Sequence, residues 1–268
     1  MKSDEKAIGI FDSGLGGLTI LKAVKKLMPK ENIIYFGDTA HVPYGSKSKE
    51  IVTEYSLNVA KFLESKKVKL ILVACNTASA LALPTLKRHI KVPVLGVITP
   101  GAACAVNTTK NKNIVVLATE ATVKSKAYIK SIKRTDKSIS VTQYACPLFV
   151  PIIEEGLALS DISRLAIKKY LTPLKGGKAD TVILGCTHYP VIKNEIAEFL
   201  GKKIMLIDSA EEIAKRAKDL LERKRILKTK GKGKTQIYAS DLPERFSRLA
   251  LNIIGGKRLK VKESRFFI

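Results

Sequence analysis

Three histidines, at positions 41, 89 and 188, are all that the 268-residue chain has, and no cysteine or histidine pair shows zinc spacing. Nothing in the sequence therefore reads as a metal site. The four cysteines, Cys75, Cys104, Cys146 and Cys186, do not form a disulfide framework; they read as free thiols of a reducing compartment. Residues 1–6 are short and charged and an apolar run begins at Ile8, which leaves no room for a secretory signal. No apolar run approaches the roughly 18 residues of a membrane span. Both absences predict a cytoplasmic protein with no membrane partner. Acidic residues are scarce beside basic ones, 24 against 48, for a formal net charge of +24. Such an excess raises nucleic-acid binding as a possibility, because lysines and arginines displace counterions from phosphates. Here the lysines spread along almost every expected helix, the single dense run is Arg223 to Lys234, and no nucleic-acid-binding signature accompanies it. A solvated lysine surface is the better reading, and nucleic acid is not expected as a partner.

What is present is enough apolar material, 46% of residues, for one large domain or two of ordinary size. Two stretches organise the rest: Val73-Ala74-Cys75-Asn76-Thr77 and its echo Leu184-Gly185-Cys186-Thr187-His188. Each sets a cysteine where a continuously apolar run, of the kind expected for a parallel strand covered on both faces, gives way to small polar residues. The C-terminal ends of such strands are where open α/β sheets carry their chemistry. Amides at a helix N-terminus there would favour a thiolate.

Ile8 to Phe11 reads as a strand, Asp12-Ser13-Gly14-Leu15-Gly16-Gly17 as a glycine loop, and the segment carrying Leu18, Leu21, Val24 and Leu27 as an amphipathic helix. A dinucleotide fingerprint fails, because Thr19 stands where the third glycine should be. His41 to Ser46 is a loop, with Ser46 as the expected N-cap of a helix over Lys47 to Lys66. A helix from Thr77 to His89, interrupted at Pro84, and a strand from Val92 to Ile98 follow the first cysteine. Near Thr99-Pro100-Gly101 the pattern restarts: strand Ile114 to Leu117, helix Glu120 to Ile132, strand Ile139 to Ala145, helix Asp161 to Leu174 and the second cysteine strand. The interval from Asp12 to Cys75 is close to that from Thr119 to Cys186, which suggests a diverged repeat. Strand Lys203 to Ile207, helix Ser209 to Arg225, a mobile loop at Lys228 to Lys234, strand Gln236 to Ala239 and helix Pro243 to Ile254 complete the chain. The predicted architecture is α/β, two similar domains with parallel sheets flanked by helices. Their expected spans are 1–98 with 210–268, and 99–209.

Two chemistries suit a strand-end cysteine. A Cys/His hydrolase could use Cys186 and His188 but leaves Cys75 idle. Proton abstraction and return at a stereocentre needs two groups on opposite faces, one arriving as thiolate and one as thiol. Cys104 and Cys146 read as ordinary buried thiols.

Five segments are specific together: Gly9 to Leu18, Gly37 to Gly45, Ala74 to Ser79, Phe149 to Gly156, and Leu184 to Pro190, with Ser240-Asp241 and Pro243-Glu244-Arg245-Phe246 after them. With these the chain resembles the glutamate racemases of the aspartate/glutamate racemase superfamily. Leu242 departs from the pattern, sitting inside the family's Asp-Pro-Glu-Arg-Phe run. The resemblance implies a pseudo-twofold pair of α/β domains with the active site in the cleft between them. It also implies cofactor-independent interconversion of L- and D-glutamate, the latter for peptidoglycan, and a homodimer. By the family's pattern Cys75 deprotonates D-glutamate and Cys186 L-glutamate, with Asp12, Glu154 and His188 assisting. Its substrate-contacting positions match Asp12, Ser13, Pro43, Tyr44, Gly45, Ser46, Asn76, Thr77, Thr119, Thr187 and His188.

Overall fold

The computed structural model describes residues 3–255 and 259–264. Among them lie ten strands: β1 (Ile8–Asp12), β2 (Ile33–Gly37), β3 (Leu70–Val73), β4 (Val94–Gly96), β5 (Asn113–Ala118), β6 (Ser140–Ala145), β7 (Thr181–Gly185), β8 (Met205–Ile207), β9 (Thr235–Ala239) and β10 (Val261–Glu263). They form a six-stranded sheet in the order β10-β9-β2-β1-β3-β4 and a four-stranded sheet in the order β6-β5-β7-β8. Every pairing is parallel. Without β9 and β10, both sheets run second-first-third-fourth. The restart in the sequence is thus a restart of one strand plan, and Cys75 and Cys186 follow the third strand of each copy.

Period-two alternation explains how short strands hold so much core. In the first sheet Ile8, Ile10, Tyr35, Leu70 and Leu72 face one hydrophobic cluster with helices Leu18–Leu27, Ala210–Arg223 and Pro243–Ile254. Phe11, Phe36, Ile71 and Val73 face the other, with helices Lys49–Ser65 and Leu83–His89. The second sheet is covered likewise. Val115, Leu117, Val182 and Leu184 meet helices Phe149–Glu154, Asp161–Leu171 and Lys193–Leu200, while Ile114, Val116 and Ile183 meet Ile98–Thr108 and Ala127–Thr135. Each buried aliphatic or aromatic side chain stabilises the fold by about 1.5–3 kcal/mol. No helix among the described residues is long and apolar enough to cross a membrane.

Several local expectations give way to specific physics. Ile98–Thr108 is a helix, not the end of a strand: Pro100 falls in its first turn, where no amide bond is lost. The stretch after Thr119 breaks at Lys126, which adopts φ 55° and divides Glu120–Ser125 from Ala127–Thr135. Ser48 rather than Ser46 caps Lys49–Ser65, accepting a hydrogen bond from the Ile51 amide at 3.3 Å. Leu242 takes a left-handed backbone at φ 47° before helix Pro243–Ile254 and stays exposed.

The lysine-rich segment is pinned, against the sequence reading of a mobile loop. Buried Glu31 pairs with Lys69 at 2.7 Å and accepts from the Lys228 amide at 2.8 Å. Lys228 reaches Glu5 at 3.0 Å, and the Lys234 amide donates to Asn32. A buried carboxylate requires such donors, and the lysine segment supplies them.

Candidate active site

The C-terminal ends of β1 and β3 meet those of β5 and β7, so the loops that follow them interlock. Asp12, the last residue of β1, is fully buried, accepts from the Gly14 amide at 3.1 Å and takes the Thr187 hydroxyl of the opposite half at 3.1 Å. The Leu15 amide donates to Glu154 at 3.2 Å, again across the seam. The glycines of this loop allow the approach. A Cβ on Gly16 would stand 2.5 Å from Thr187 Oγ1 and 2.7 Å from His188 Nδ1, and one on Gly14 would stand 2.5 Å from Glu154 Oε1.

Cys75 caps the N-terminus of helix Asn76–Leu81, its Sγ accepting from the Ala78 amide at 3.5 Å and donating to Ser13 Oγ at 3.8 Å. The amide contact expected from the sequence is present, yet burial dominates. Burial, then the charge of Asp12, push the thiol up to about 12, against the Ala78 amide and Ser13. Asp12 itself is raised by burial, offset in part by His188, the Gly17 and Gly14 amides and Thr187. Among the described residues, no amide caps Cys186. Its Sγ lies 3.8 Å from His188 Nδ1, and His188 Nε2 lies 2.5 Å from Glu154 Oε1. Burial disfavours an imidazolium, but contacts with Cys186 and Glu154 outweigh it and hold His188 well above 6.5. Burial would raise Glu154; His188, the Leu15 amide and Arg245 hold it below the usual range. The Cys186 side therefore carries an imidazolium–carboxylate pair, and the Cys75 side a buried thiol beside a carboxyl group.

Neutral donors complete the seam. Thr77 Oγ1 lies 2.9 Å from Thr119 Oγ1 and 3.2 Å from Thr122 Oγ1, and Asn76 donates to the Tyr128 hydroxyl at 2.8 Å. Pro43 follows a cis peptide bond, and Tyr44 beyond it is buried with its hydroxyl 2.6 Å from Asp38. Gly45 abuts Thr119, where an added Cβ would stand 2.5 Å from the threonine Cβ. Ser46, with Gly45, lines the wall of a cavity of about 530 Å3 between residues 45–50 and 120–125. Among the described residues no group of three metal-ligating side chains forms.

Four participants escaped sequence reasoning. Asp38, marked in the sequence only as part of the Gly37 to Gly45 segment, binds Tyr44 and His41. Thr122 and Tyr128 sit inside helices with no motif around them, and only the N-cap Thr119, three residues before Thr122, hints at the first. Arg245, recognised only as part of a motif, binds Glu155 at 2.8 Å and so steadies the segment that carries Glu154.

Residues 18–217 match the family model Asp/Glu/Hydantoin racemase. The chain is 48% identical over 253 residues to a glutamate racemase of Geobacter metallireducens, covering 94% of each chain. The crystal structure of a Bacillus anthracis glutamate racemase superposes with a TM-score of 0.94 at 35% identity, over 97% of this chain and 98% of that one. A Francisella tularensis glutamate racemase solved with D-glutamate has a TM-score of 0.91 at 38% identity, over 97% and 98%. With two parallel sheets in one strand order, a matching family model and relatives of nearly equal length, the chain belongs to the Asp/Glu/hydantoin racemases and is an amino-acid racemase of their glutamate racemase branch.

Proposed function

We propose that the chain interconverts L- and D-glutamate by two-thiol proton transfer at the α-carbon, without a cofactor, and that the D-isomer goes to peptidoglycan synthesis in the cytoplasm. The reaction takes place between a first domain, 1–98 with 210–268, and a second, 99–209. The observation that carries the reading is the pair of buried thiols, one from each strand plan, brought to a single seam. Each has its own acid/base neighbour: Asp12 for Cys75, and His188 with Glu154 for Cys186.

Removing an α-proton leaves charge at carbon, which bulk water does not stabilise well, so the groups must be placed beforehand in a dry site. In the L-to-D direction Cys186 takes the proton on one face and Cys75, held as a thiol, returns one on the other. Positioned acid and base groups each contribute about 100- to 10,000-fold. His188, held as an imidazolium with Nδ1 3.8 Å from the Cys186 sulfur, offers that sulfur a positive charge and an N–H donor that orient it toward the α-carbon. In the reverse direction Cys75 must lose its proton, which burial and Asp12 both resist. The substrate ammonium, seated near Asp12, offsets that repulsion, so the substrate helps to ionise the base that attacks it. Ser13, Asn76, Thr77, Thr119 and Thr187, with the loop Pro43 to Ser46, offer neutral donors to the two carboxylates, keeping the net charge of the site low.

Circular dichroism of L-glutamate solution tests the reaction. The signal decays to zero with the total glutamate unchanged, and Cys75→Ser and Cys186→Ser each abolish the decay. Racemisation surviving in either variant would sink the two-thiol scheme.

A further inference from the structure

Tyr128 lies in helix Ala127–Thr135 of the second strand plan, carries no motif and is fully buried. Two contacts set it apart from an ordinary core tyrosine. Its hydroxyl receives the Asn76 side-chain amide at 2.8 Å, and Asn76 directly follows Cys75. Its ring covers Gly185, the residue directly before Cys186, so closely that a Cβ there would stand 3.1 Å from Cε2. One rigid side chain thus touches the backbone neighbour of one thiol and the side-chain neighbour of the other, bridging two halves of the molecule. The phenol can donate or accept, so the bond to Asn76 holds whichever way that amide is turned. Burial pushes the phenol up to about 12, with Ser209 and Asn76 offsetting it only in part, so it stays neutral through the physiological range.

We infer that Tyr128 is a positioning residue that sets the spacing of the Cys75 and Cys186 loops across the substrate α-carbon. The inference rests on the two-thiol reading. Racemisation demands both sulfurs at reacting distance from one carbon on opposite faces, and a displacement of about 1 Å can cost on the order of 100-fold. Hydrogen bonds from Thr187 to Asp12 and between Thr77 and Thr119 also cross the seam, but they join the glycine turn and the threonines. Tyr128 reaches Asn76, directly after one thiol, and Gly185, directly before the other.

The test compares a reaction that needs two thiols with one that needs a single thiol. With an L-configured 3-chloroglutamate, one thiolate takes the α-proton and the electron pair expels chloride from Cβ, giving an enamine that hydrolyses to 2-oxoglutarate and ammonia. The second thiol has no part in it. Tyr128→Phe keeps the ring over Gly185 and removes the bond to Asn76. It is expected to lower kcat for racemisation about tenfold while elimination changes by less than about twofold. Both rates come from the same preparation, so any loss of folded protein cancels in their ratio. A general structural role, or a role only in holding Asn76 for substrate, would lower both reactions together. An unchanged ratio of racemisation to elimination, whatever happens to KM, would overturn the inference. Failure of the underlying reading shows separately, as racemisation that survives in Cys186→Ser.

Discussion

Replacing Glu154 by Gln removes the charge that holds His188 as an imidazolium while keeping nearly the same shape. In the native protein the two groups lie 2.5 Å apart with His188 buried and Glu154 15% exposed. Glu154 is held below its ordinary 4.5, so its contribution to stability is complete above that value and is lost as pH falls through the lowered one. His188 is held above 6.5, so its contribution is complete below 6.5 and is lost as pH rises through the raised value. The pair is therefore at full strength between 4.5 and 6.5. A hydrogen bond to a charged group is worth about 1.5–3 kcal/mol, so E154Q should lose about 2 kcal/mol in that window. For a chain of this size the melting temperature falls by about 4–8 °C. The kinetic consequence is a shift. If racemisation uses the imidazolium, the alkaline limb of kcat/KM lies at the raised His188 value, and E154Q moves it down by about one to three pH units. L- and D-glutamate have equal free energies in water, so kcat/KM must change equally in the two directions. Profiles followed by circular dichroism from pH 5 to 10 provide the assay. An alkaline limb that does not move in E154Q would refute the role given to the pair.

Cys104→Ser and Cys146→Ser should leave racemisation largely intact, since the Cys146 thiol donates to the Tyr144 carbonyl at 3.9 Å and Cys104 lies partly exposed on helix Ile98–Thr108; loss of turnover in either would show an unrecognised role. Gly16→Ala places a methyl 2.5 Å from Thr187 Oγ1 and 2.7 Å from the Thr187 carbonyl carbon, so the seam must shift. A cost of about 1–3 kcal/mol, with a large loss of kcat, is expected from calorimetry and turnover. Glu31→Gln breaks the buried pair with Lys69 and should cost about 3–5 kcal/mol in urea unfolding, with activity unchanged in the folded fraction.

How much of this was legible in the sequence depended on the range of the interactions. The strands beneath Cys75 and Cys186 announce themselves, because both faces are covered and the runs are apolar throughout. The restart of the pattern near residue 100 is likewise visible, since strand length and loop spacing repeat. Helix Ile98–Thr108 was hidden by Pro100 and Gly101, which look like a turn until the proline is seen in the first turn of a helix. The lysine run looked mobile because its anchors, Glu31 and Asn32, lie 197 and 202 residues away. The direction of the Cys75 shift could not be read locally either: helix amides and burial oppose each other, and burial is a property of the assembled seam. Tyr128 has no local signal, since its value as a spacer lies wholly in contacts with Asn76 and Gly185.

The opposed pair of thiols is tested most directly by running the reaction in deuterium oxide from unlabelled L-glutamate and following the α-proton by NMR in the first few per cent of conversion. With one thiol on each face, newly formed D-glutamate carries deuterium at the α-carbon while recovered L-glutamate retains its proton. A single base serving both faces would place deuterium in the two enantiomers alike, and that result would contradict the division of labour between Cys75 and Cys186.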